Sequence, residues 1–91
     1  MLINLIEIKK ELTGQYRLED VFVNPKHVIL LREDPYYKKD LKEGRIDLDI
    51  NSNVEFTRLV IPSDKILELT VVGSPASVRS KLYNQKILLK D

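Results

Sequence analysis

Tyr36 and Tyr37 run directly into Lys38, Lys39, Lys42 and Arg45, and this is the densest grouping in the 91-residue chain of side chains able to engage a ligand. Tyrosine rings offer rigid contact area, and nearby cations give orientation and a faster encounter. The same composition would suit single-stranded nucleic acid, where a base stacked on an aromatic ring contributes about 1–3 kcal/mol and ammonium groups neutralise phosphates. A second outcome is open: the segment could be a solvated helix whose tyrosines pack on their own sheet. On a 3.6-residue period Tyr37 and Leu41 share a face, expected to dock inward, which leaves Tyr36 and the lysines outward. The six residues are the expected partner-binding set.

Other candidates for chemistry carry simpler explanations. His27 is the single histidine, with no partner spaced to make a triad or a metal site, and it reads as the start of a strand. Asp47 and Asp49 would share one face of a strand, but an oxygen-only cation site wants six or more ligands and a glycine-bearing loop. They read as the wet side of a half-buried strand. Gly73-Ser74-Pro75 places free N–H groups at a helix start, yet no glycine-rich loop with a following lysine accompanies it, so Ser74 reads as a cap. Arg79, Lys81, Lys86 and Lys90 form a second basic zone, ordinary for the last turns of a helix. No catalytic residue, metal site or cofactor is expected, and the chain reads as a non-enzyme.

The elements that must carry these side chains follow from periodicity. Residues 2–9 alternate with a period of two, and residues 16–23 resume β-favouring types until Asn24-Pro25. His27 to Arg32 reads as a strand whose apolar run, Val28 to Leu31, suggests burial on both faces. Asp34 can cap a helix, Pro35 suits its first position and Gly44 the residue after its last turn, so a helix of about two turns is predicted. Residues 45–50 alternate strictly, Asn51-Ser52-Asn53 turns, and 54–61 returns, which reads as a hairpin. Pro62 to Lys65 turns again, and 66–72 is a further strand. A helix from Pro75 would lay Val78 and Leu82 on the sheet, with Lys86 to Lys90 either its last turn or an edge strand.

The stretch Asn24 to Ile29, then Val54 to Ile61, then Val71-Val72-Gly73-Ser74-Pro75-Ala76-Ser77-Val78 resembles the layout of small FlbD-like flagellar proteins. That layout is an Asn-led turn into an apolar strand, a strand hairpin, and a valine-rich strand ending in a Ser with a valine four residues later. The resemblance covers roughly residues 15–83 by pattern. Two departures are the insertion at 34–45, where those proteins have a tight loop, and the added N-terminal strand. It implies a small regulatory or adaptor role and no enzymatic residues.

Composition bounds the rest. One domain is expected at this length, with pairing to another copy a common source of added stability. Hydrophobic residues at 43% and charged residues at 32% suit a soluble globular protein, and the apolar runs are too short to span a membrane. The opening residues lack the basic region and cleavage site of a signal peptide, and the zero cysteine count fits a cytoplasmic setting. Lysine, asparagine and isoleucine content would suit an AT-rich genome such as a phage's. Net charge is only +1, but residues 35–45 carry +2 and residues 75–91 carry +3. A dedicated duplex binder usually has a pI above about 9, against 7.9 here. The expected fold is α+β, a small, mostly antiparallel twisted sheet of five strands or a partial barrel, with one C-terminal helix and a short helical insertion. The expected role is a small intracellular accessory or regulatory protein binding a protein partner. The alternative is a nucleic-acid binder using basic zones 36–45 and 79–90. A homo-oligomer through the first or last strand is a further expectation.

Overall fold

The computed structural model describes the backbone of residues 1–62 and 64–90, and side chains up to Tyr83. Five strands, β1 (Ile3–Lys10), β2 (Tyr16–Val23), β3 (Leu30–Glu33), β4 (Phe56–Ile61) and β5 (Leu67–Val72), form one antiparallel sheet in the order β2-β1-β5-β4-β3. Two helices join it, α1 (Pro35–Lys42) between β3 and β4, and α2 (Pro75–Lys90) after β5. The class is α+β. The sheet is not closed: β2 and β3 are its edges, and the first strand, β1, and the last, β5, each have a neighbour on both sides.

Strand alternation sorts the apolar residues into two cores. Ile3, Leu5, Val23, Leu59, Leu69 and Val71 line one face and are covered by Val78 and Leu82 of α2. Ile8, Tyr16 and Phe56 line the opposite face, covered by Leu41 and Tyr37 of α1 and by Ile46 of the loop behind it. The two helices therefore lie on opposite sides of the sheet. Ladder pairing is uneven: β1 and β2 pair along their whole length, whereas β1 meets β5 through Glu7 with Val71 and Ile8 with Thr70.

The structure departs from expectation in two segments. Residues 45–50 are not a strand, and β4 pairs with β3 and β5 instead. Ile46 is buried and Leu48 and Ile50 are half-buried because they pad the α1-side core, so their alternation reflects burial without a ladder. His27 does not start a strand either. Asn24 accepts from the Lys26 N–H at 3.0 Å and opens a 3-10 turn over Pro25–His27, delaying β3 to Leu30. The run Val28 to Leu31 is not buried on both faces, since Ile29 is 65% exposed at the sheet edge. The expected turn at Ser63 and the side chains of Lys86 and Lys90 lie outside the described residues.

Candidate functional site

Helix α1 forms because its punctuation is complete at both ends. Asp34 Oδ1 accepts from the N–H groups of Tyr36 at 3.1 Å and Tyr37 at 3.5 Å, and Pro35 occupies the first helical position, where no N–H is required. At the other end Glu43 N–H donates to Lys39 O and Gly44 N–H to Leu41 O, with Gly44 at φ +76°. That left-handed conformation favours glycine.

Asp34 does more than cap. Its side chain is 1% exposed, its N–H donates to Phe56 O at 2.8 Å, and its Oδ2 accepts from Thr70 Oγ1 at 2.8 Å and lies 3.6 Å from Arg58 Nη2. One carboxylate thus ties the helix start to β4 and β5. The inner face of the helix is fixed by rings: Tyr37 meets Tyr16 edge-on at 5.9 Å between centroids and tilts against Phe56 at 5.9 Å. Tyr16 Oη donates to Asp40 Oδ2, linking the helix to β2 as well.

These contacts shift titrations. Burial, then the hydrogen bond to Asp40, pushes the Tyr16 phenol up to about 12. Burial, then the charges of Asp34 and Asp40, raises Tyr37. The Tyr16 hydroxyl, more than Arg45, holds the Asp40 carboxyl below its ordinary value. A phenol whose folded-state value is raised stabilises fully below its ordinary value of 10.0 and loses that contribution as pH rises through about 12. The depressed Asp40 acts in the opposite direction, its contribution being lost as pH falls through and below 3.8. In urea titrations at stepped pH, the stability advantage of wild type over Tyr16→Phe should be constant from pH 7 to 9 and shrink between 10 and 12. An advantage that stays flat to pH 12 would mean the phenol is free in solution.

Of the six expected contact residues, three project outward without an ion pair among the described residues: Tyr36, 70% exposed, with Lys39 and Lys42 at i+3 and i+6. Lys38 pairs with Glu55 at 3.5 Å, and Arg45 with Glu43 at 2.9 Å and Asp40 at 3.3 Å. Tyr37 is turned into the core. Arg58 of β4 brings its guanidinium to 6.0 Å from the Tyr36 ring centroid, a contact no sequence spacing signals. Arg32, its neighbour across the ladder, is exposed beside it. No protein-family model, curated protein or solved structure matches this chain.

A pocket of about 400 Å³ opens between α1 and the sheet, with Ile8 and Thr70 among its lining and Asp34, Tyr37, Arg58 and Glu68 around them. Asp34 is already engaged by Thr70 and Arg58, so it is not poised as a free base. No group of three or more His, Cys, Asp or Glu residues able to hold a metal occurs among the described residues. No helix among them is long and apolar enough to cross a membrane.

Proposed function

We propose that this chain is a small, non-catalytic accessory or regulatory protein of the cytoplasm that binds a protein partner through the outer face of α1. The observation that carries the reading is Tyr36: a tyrosine 70% exposed on a helix whose inner face and both ends are fixed. A ring carried on a helix that is already fixed has less conformational freedom left to lose on contact, and tyrosine is enriched among the residues that dominate interfaces. Lys39 and Lys42 beside it supply orientation and encounter rate, with Arg58 backing the ring. The regulatory part of the proposal draws on the FlbD-like layout of residues 15–83.

The nucleic-acid alternative, using both basic zones, is less well supported by the geometry. Arg79 and Lys81 stand on α2, over the opposite side of the sheet from α1, so a strand touching both zones would have to wrap around the molecule. Affinity capture from source cells, quantified by mass spectrometry with wild type and Tyr36→Ala/Lys39→Ala/Lys42→Ala as baits, separates the readings. The expected result is a protein retained by wild type, lost from the triple variant and still held in 0.5 M salt. Capture unchanged by the triple variant would remove α1 as the contact surface. Capture of nucleic acid, lost steeply with salt, would favour the alternative.

A further inference from the structure

β2 is an eight-residue edge strand with nothing among the described residues paired along its outer side, and such edges are templates for another strand. The outward backbone groups can be identified. Glu11 N–H donates to Gln15 O at 2.7 Å in the β1–β2 turn, and antiparallel ladders alternate bonded and non-bonded pairs. Odd residues of β2 therefore bond to β1, and the N–H and C=O groups of Tyr16, Leu18, Asp20 and Phe22 point away from the sheet. On the α1 side of the sheet, Ile6, Leu18 and Phe22 are exposed at 38%, 37% and 60%, three apolar side chains set around Asp20 near that edge.

We infer that β2 pairs antiparallel with β2 of a second copy of this chain, about a twofold axis at Leu18. Residues directly opposite in an antiparallel pair share a face, so the axis must fall on a residue, and charge decides which one. An axis at Leu18 sets Arg17 of each copy opposite Glu19 of the other, and Leu18 opposite Leu18 on the α1 side. An axis at Arg17, Glu19 or Asp20 sets that charge against itself. An axis at Val21 sets Asp20 against Phe22 and forms no ion pair. Arg17 and Glu19 already lie 3.2 Å apart within one copy, beside Lys9 at 2.9 Å from Glu19, so the dimer extends an existing network across the seam. A twofold axis normal to the sheet keeps each face on its own side, so both α1 helices, which touch Tyr16 of their own β2, come to lie on the same side of the joined sheet. The inference is independent of what α1 binds.

The absence of cysteine makes the register directly measurable, because a single introduced thiol is the only one present. Bonded antiparallel pairs have Cα atoms about 5.5 Å apart, inside the disulfide range of about 4.4–6.8 Å. Under mild oxidation Leu18→Cys should cross-link to dimer at least about tenfold faster than Asp20→Cys or Phe22→Cys, whose twofold mates lie several residues away along the strand. Faster linkage at 20 or 22 would overturn the register. Sedimentation equilibrium supplies the second arm. Wild type should show a concentration-dependent dimer, Arg17→Glu should weaken it by roughly tenfold or more, and Arg17→Glu/Glu19→Arg should restore it. Wild type that stays monomeric up to about 1 mM would overturn the proposal, as would a double exchange no better than the single one.

Discussion

Replacing Phe56 by alanine should lower the free energy of unfolding by about 4 kcal/mol, within the range of about 3–5 kcal/mol for deleting a buried aromatic ring. Phe56 is 0% exposed, packs with Tyr37, and belongs to the core that also holds Ile8, Tyr16, Leu41 and Ile46. Its backbone carbonyl also accepts from Asp34, so its position governs both the ring stack and the start of α1. The neighbours that would have to close the cavity are held by the strand ladder and by the Tyr16 to Asp40 bond, which limits collapse. Domains of this size have roughly 5–15 kcal/mol in total. With a urea slope of about 2 kcal/mol per M, the midpoint should fall by roughly 2 M, while Tyr36→Ala should leave it nearly unchanged. A shift under about 0.5 M for Phe56→Ala would mean this side of the sheet adds little to the fold.

The second large effect is expected at Asp34. Asp34→Ala removes a helix cap, about 1 kcal/mol, and a buried charged acceptor, about 1.5–3 kcal/mol, for a total near 3 kcal/mol. Thr70, 8% exposed, is left with an unpartnered hydroxyl, whereas Arg58, with a third of its side chain exposed, can turn to water. A double-mutant cycle tests this reading. Thr70→Val should cost less in the Asp34→Ala background than in wild type, with a coupling of about 1–2 kcal/mol. Strict additivity would show that the 2.8 Å contact contributes nothing. Circular dichroism should record loss of the α1 signal in Asp34→Ala alone.

The two effects differ in how visible they were before the structure. Helix α1 was legible because Asp34, Pro35 and Gly44 act through local backbone chemistry, which short spacing reveals. Phe56 was legible as a strand residue, but not as the centre of a core, because its neighbours come from β1, β2, α1 and the loop at 46–54. Asp34 was legible as a cap and not as a clamp, since Thr70 is 36 residues away in sequence. Ile46, Leu48 and Ile50 misled because an alternating pattern reports alternating burial, and a loop pressed on a sheet supplies that as well as a ladder does. Of the contact set, the helical period separated Tyr37 from Tyr36 in advance. The Lys38 to Glu55 pair and the approach of Arg58 to Tyr36 depend on tertiary placement and left no trace in spacing, whereas the partners of Arg45, Glu43 and Asp40, are local in sequence.

The narrow junction between β1 and β5 has a consequence for how the molecule holds together. Backbone bonding there is too short to weld the β1–β2 ribbon to the three-stranded remainder, so cohesion across it falls to side chains: Ile3 and Leu5 beneath α2 on one side, and Tyr16 against Tyr37 and Asp40 on the other. The protein is two ribbons riveted from opposite sides, and loosening either rivet would let the amino-terminal ribbon swing before the rest of the chain unravels.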